Sequence, residues 1–210
     1  MKITFKGAEA LRTTAKGLRK LPDENRRALA RAVNQVVAKV ATQSRRDIGA
    51  QINLPQSYIR EQMTVSKAGY DRPVASIRMR MRAVRLARFA AKQLTVQAKH
   101  RNVRKLKGDA MRGIAAGRKA AGTSVSIVRG ARTKRKAGFL VPLRAGQAQG
   151  DNLGVFVRTG KGPKDIEHKY GPSPDQLFRR WAEEQTPDIQ QMLLEAYDSQ
   201  LRYELTGSRK

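Results

Sequence analysis

Between residues 22 and 48, apolar side chains recur at Leu29, Ala32, Val33, Val36, Val37, Val40, Ala41 and Ile48. This is the alternating three- and four-residue spacing of one helical face. Arg26, Arg27, Arg31, Lys39, Arg45 and Arg46 fall off the stripe. Pro22 with Asp23 and Glu24 marks the start, since proline is tolerated in a first turn and acids suit the positive helix end. Gly49 supplies a terminator. At about 1.5 Å per residue such a helix runs roughly 40 Å, long enough to be the surface on which a core is built. Ahead of it, Ile3 to Phe5 alternates like a strand, and Ala8, Leu11, Ala15 and Leu18 share one face of a short helix.

Pro55 is placed to open a helix of one to two turns ending at Glu61. The period then changes. Over residues 74–82, Ile77, Met79 and Met81 alternate with Arg78, Arg80 and Arg82, predicting a half-buried strand with a basic outer face. Residues 99–122 are rich in Lys, Arg, Gly and Ala without a period, which predicts a loop or arm that does not order itself. Strands are expected again at Thr123–Arg129, Gly138–Leu143 and Val155–Arg158. Arg132–Lys136 is expected as a hairpin tip and Gly146–Asn152 as a turn. Four or so strands separated by turns form an antiparallel meander.

Tyr170-Gly171-Pro172-Ser173-Pro174 interrupts the regular pattern. Ser173 followed by Pro174 predicts a helix carrying Leu177, Phe178 and Trp181. Thr186-Pro187-Asp188 predicts a second start, with Ile189, Met192, Leu193, Ala196, Tyr197 and Leu201 as its stripe, packed beside the long N-terminal helix. The fold class is α+β: a long N-terminal helix and a C-terminal helix packed on a small antiparallel sheet, with a basic extended arm. The expected organisation is one domain over residues 1–210, its arm at 99–122 and its C-terminal helical segment at 173–207.

Charge alters this picture more than composition does. The 210 residues carry 44 Lys and Arg against 17 acids, a formal +27. Residues 72–146 hold 21 basic residues and a single acid, Asp109, whereas residues 171–210 hold 5 basic and 7 acidic ones. A basic centre calls for polyanionic contacts and a mildly acidic tail for protein contacts. The absence of cysteine excludes disulfides and thiolate metal sites. No apolar run approaches the ~18 residues of a membrane helix, and the N-terminus lacks a signal-peptide core, so a soluble protein made in a cytoplasm, without membrane contact, is expected.

Catalytic grammar is sparse. The two histidines, His100 and His168, have no metal-site spacing between them. Asp151 with Glu167 and Lys169 has the spacing of metal-dependent nucleases, in which paired carboxylates hold Mg²⁺. Asp151 also reads as turn chemistry within Gln149-Gly150-Asp151-Asn152, and Asp, Glu and Lys are common enough for the spacing to arise by chance. No catalytic residue, cofactor or metal is therefore assigned. Phosphate attraction needs only Lys and Arg density. Residues 72–146 contain Phe89 and Phe139 as their only aromatics, too few for a single-strand stacking groove.

Several segments resemble a family in their order: Arg31-Ala32-Val33-Asn34, Leu86-Ala87-Arg88-Phe89, the strands Gly122–Val128 and Gly138-Phe139, Gly154-Val155-Phe156-Val157-Arg158, and Ile166 followed by Tyr170-Gly171-Pro172-Ser173. They resemble the minor tail protein Z (tail completion) family of long-tailed phages such as lambda, from about Leu29 to Leu205. Asp165 stands where that pattern has proline. The resemblance implies a structural virion protein without enzymatic activity at the head-proximal end of the tail. It would form a homo-oligomeric ring near the tail terminator, other neck proteins, the end of the tape measure and the DNA. The residues expected to meet DNA or acidic neighbours are Arg78, Arg80, Arg82, Arg101, Arg104, Lys105, Lys107, Arg112, Arg118, Lys119, Arg132, Lys134, Arg135 and Lys136. The alternative is a free-standing, sequence-independent nucleic-acid binder acting in packaging or on the ribosome.

Overall fold

A computed structural model describes residues 23–99, 109–143, 153–162 and 164–207. The expected N-terminal strand and helix, the Gly146–Asn152 turn, His100 and Asp151 lie outside the described residues. The chain divides into two compact units, each built from separated segments. The first takes its described residues from 23–48, 56–81 and 174–207, and the second from 49–55 and 82–173.

In the first unit, helix α1 (Asp23–Gln51, its last three residues belonging to the second unit) follows the predicted stripe. Ala28, Ala32, Val36, Val40, Ser44 and Ile48 are all buried, one residue per turn. Helix α2 (Gln56–Glu61) follows Pro55 as expected. Strands β1 (Met63–Ser66) and β2 (Ser76–Met79) pair antiparallel, with Val65 opposite Ile77. Ile77 and Met79 are buried and Arg78 and Arg80 exposed, but β2 ends before Met81, whose side chain is exposed. The loop between the strands is clamped to α1 by Asn34, which donates to the Ala68 carbonyl (3.0 Å) and accepts from the Ala68 N–H (2.8 Å).

The two helices expected after Ser173 are one, α4 (Pro174–Gly207), with Pro187 inside it. Proline removes the backbone donor that would have met the Glu183 carbonyl, and the Thr186 hydroxyl donates to the carbonyl before it, that of Ala182 (2.7 Å). Packing on both sides of the proline, through Phe178, Trp181 and Ala182 before it and Ile189 and Ala196 after it, keeps the axis continuous. The helix runs antiparallel beside α1, as the sequence suggested. Trp181 Nε1 donates to Asp47 (3.0 Å) at one end, and Arg31 pairs with Glu204 (2.5 Å) at the other. A cavity of about 160 Å³, lined by Val33, Val37, Pro73, Val74 and Leu193 among others, lies in this unit.

The second unit contains two three-stranded antiparallel sheets. One is β3 (Lys92–Gln97), β4 (Arg118–Val125) and β5 (Thr133–Arg135). The other is β6 (Gly138–Pro142), β7 (Leu153–Arg158) and β8 (Ile166–His168). Gln93 links the two: its amide donates to the Gly122 carbonyl (2.6 Å) and its carbonyl oxygen accepts from the Leu140 N–H (2.8 Å). Val84, Leu86, Phe89, Val125 and Val155 of this unit are almost fully buried.

Two expectations are corrected here. Residues 109–112 of the proposed arm form a short helix, α3 (Asp109–Arg112), and residues 118–122 are the first half of the central strand β4. Backbone pairing to β3 orders residues 118–120 without an apolar period. For the same reason the expected hairpin tip at Arg132–Lys136 contains strand β5, all of whose side chains are exposed. Gly122, at φ +113°, carries the bulge of β4, and a Cβ there would stand 2.7 Å from the Arg135 carbonyl oxygen.

A candidate interaction surface

Cross-strand register decides which cations share a face, because directly opposed residues of an antiparallel sheet project to the same side. Lys92, Ser124 and Lys134 lie opposite one another across β3, β4 and β5, and Lys119 lies opposite Val96. Residues 92, 94 and 96 of β3 alternate to one side, so Lys92, Lys119, Lys134 and Val96 belong to a single face. All four are exposed, Val96 to 44%. Arg132 reaches the same face, donating from Nη1 to the Ser124 hydroxyl (3.0 Å) and the Ala90 carbonyl (3.1 Å). The opposite face carries Gln93 and buried Thr123 and packs towards β6. Among the described residues, no carboxylate forms an ion pair with Lys92, Lys119 or Lys134.

The structure sorts the expected contact residues into distinct groups. Arg101, Arg104, Lys105 and Lys107 lie outside the described residues. Arg112 pairs with buried Asp109, the one acid of the basic segment, and is itself largely covered. Arg118 is held to the sheet, its Nε donating to the Thr95 hydroxyl (2.7 Å) and its Nη2 to the Thr95 carbonyl (2.9 Å). Arg132 is likewise tied down, and Arg80 donates to Gln62 (3.2 Å). Arg78, Arg82, Lys119, Lys134, Arg135 and Lys136 are exposed, but Arg78 belongs to the first unit and the others to the second. Lys92 was missed, since it is isolated in the sequence and joins the group only through strand register.

On the other sheet the aromatics gather. Phe139, Phe156 and His168 are in direct register across β6, β7 and β8, and Tyr170 continues the row. Ring centroids are 6.4, 4.5 and 4.5 Å apart in that order, and Arg158 lies 5.9 Å from the Phe139 ring. The rings face one another, which favours cohesion of the sheet over stacking of bases between them. Burial, reinforced by the Arg85 charge, holds the His168 pKa below the ordinary imidazole value. Glu167 pairs with Lys169 at 2.6 Å, which occupies two members of the nuclease-like spacing with each other. Among the described residues, no three His, Asp or Glu side chains are grouped to hold a metal ion. No described helix is long and apolar enough to cross a membrane.

Segments far apart in the sequence also meet within the second unit. The Leu86 N–H donates to the Lys169 carbonyl (3.2 Å), the Gly171 N–H donates to the Val84 carbonyl (2.8 Å), and Arg85 bridges to Tyr170. Phe89, fully buried, rests on Gly171, where a Cβ would come within 2.4 Å of its ring. Compared with known proteins, residues 5–208 match the family model described as prophage minor tail protein Z. No curated protein and no solved structure matches the chain.

Proposed function

We propose, for a chain that belongs to the prophage minor tail protein Z family, a structural role in completing the head-proximal end of a phage tail. Membership makes it a phage minor tail protein, a component of the virion tail that interacts with other tail proteins. The finer role rests on the uncompensated cations of the β3–β5 sheet. Lys92, Lys119 and Lys134 stand on a strand scaffold, and among the described residues no acid is paired to them. Such a face suits a polyanionic or acidic neighbour and requires no reaction chemistry. In this reading the protein is not an enzyme. It sits near the tail terminator and the end of the tape measure, in a ring of copies, and its basic face supports head–tail joining by meeting DNA phosphates or acidic subunits.

The test is complementation of a phage lacking the gene with a K92E/K119E/K134E variant. All three side chains are exposed, so the variant is expected to fold and to allow tails of normal length. Joining of heads to tails, scored by titre and electron microscopy, should fall at least tenfold. Full complementation by a folded triple variant would remove the basic face from the function.

A further inference from the structure

We infer that the basic face of the β3–β5 sheet receives the outer face of helix α4 from a second copy of this chain. The inference rests on the tail-joining reading and names the neighbour it left open.

The two surfaces match in sign and spacing. In a chain of net charge +27, the solvent side of α4 carries Glu183, Asp188 and Glu195. None of these three is ion-paired among the described residues, whereas Glu184 and Asp198 are already paired with Arg180 and Arg202 on the same helix. Between the acids stands Leu194, 71% exposed, with Leu205 further along at 58%. At 100° per residue Glu183, Leu194 and Leu205 fall within about 40° of one another, opposite the side that buries Ile189 and Ala196. The helix therefore has one apolar face committed to α1 and a second, acid-flanked one that no described residue covers.

The sheet offers the complement. Val96 is exposed beside Lys119, as Leu194 is beside Glu195. Lys92 and Lys134 flank Ser124, five residues from Lys119 along β4, a separation of roughly 15 Å. Glu183 and Glu195 are twelve residues apart, roughly 18 Å along the helix. With Leu194 on Val96, Glu183 falls at Lys92 and Lys134, and Glu195, about 100° around the helix from Leu194, flanks the contact on the Lys119 side. An apolar centre inside a charged rim is the usual build of a protein interface. The apolar Val96 at the centre favours a protein over a phosphate backbone, which takes its affinity from charge. Three short strands against one face of a single helix bury less than a stable dimer needs, so the contact is weak singly and sensitive to salt. It joins unlike surfaces, so it propagates from copy to copy.

Sedimentation velocity of the purified full chain at about 0.1 M and about 0.5 M salt reads the contact directly. Concentration-dependent association is expected at low salt and its loss at high salt. Variant E183K/E195K and variant K119E/K134E should each remain monomeric, and an equimolar mixture should associate, because each supplies the surface the other has lost. Far-UV circular dichroism and Trp181 fluorescence must match the unaltered chain for either variant to count. Association of K119E/K134E by itself would mean that α4 pairs with α4 and would overturn the assignment. So would a wild-type chain that stays monomeric while K119E/K134E loses only duplex DNA binding, which would give the face to DNA. Either result leaves the tail-joining role standing, and that role is tested separately by complementation.

Discussion

Gly171→Ala isolates one contact in the second unit. The backbone of Gly171 is not in the left-handed region, so alanine brings no conformational strain and the effect is purely steric. The added Cβ would lie 2.4, 3.0 and 3.1 Å from three carbons of the Phe89 ring. Ordinary carbon contacts are about 3.5–4.0 Å, so the ring or the chain must move by about 1 Å. Phe89 is 0% exposed and has no solvent to move into. Overpacking of this kind costs about 1–3 kcal/mol. With a urea slope of about 1–3 kcal/mol per molar, the midpoint should fall by roughly 1 M. The sole tryptophan, Trp181, belongs to the first unit, so the second unit must be followed by far-UV dichroism or amide exchange at β6 and β7. Combining the change with Phe89→Leu, which opens space, should cost less than the two single changes added, by about 0.5–3 kcal/mol. An unchanged midpoint for Gly171→Ala, or strict additivity in the double variant, would refute the packing described for this site.

Two further outcomes follow from single side chains. His168 resists protonation in the fold, so the unfolded chain binds more protons as pH drops below about 6.5, and stability should decline from there until the folded imidazole also titrates. Comparing melting temperatures of the unaltered chain and His168→Gln between pH 5 and 7.5 checks this: the difference should shrink towards acid pH, and a constant difference would contradict it. Pro187→Ala restores a helical donor at an exposed site and should stabilise α4 by about 1–3 kcal/mol, read as a raised melting temperature by Trp181 fluorescence. A lowered one would mean that the proline shapes a bend the packing requires.

What the sequence made legible was whatever buries one side of a regular element. α1, β6 and β7 carry enough apolar positions to be read directly and α2 is announced by Pro55, and their observed limits fall within a few residues of those expected. β5 and the first half of β4 were hidden for the opposite reason. Thr133, Lys134 and Arg135 are all exposed, and their order comes from backbone hydrogen bonds to β4, which leave no mark on side-chain polarity. The continuity of α4 was hidden because a proline's local cost is visible in sequence and the packing that offsets it is not. The ladder of Phe139, Phe156, His168 and Tyr170 was illegible for the same cause: its members come from three strands and the segment that follows.

The candidate surface shows why charge density by itself could not locate it. The sequence presents 21 cations between residues 72 and 146 as though they were equivalent. In the fold several serve the structure: Arg112 neutralises Asp109, Arg118 and Arg132 tie neighbouring strands through backbone acceptors, and Arg129 donates to the Gly49 carbonyl (2.7 Å) near the end of α1. A guanidinium can do this because its planar set of donors reaches several fixed acceptors while its charge persists. The lysines Lys92, Lys119 and Lys134 have no such ties among the described residues. Substituting the arginines should therefore disturb folding along with any binding, whereas substituting the lysines should disturb binding alone. That division follows from register and hydrogen bonding, and it turns a diffuse excess of charge into three positions whose removal has a defined consequence.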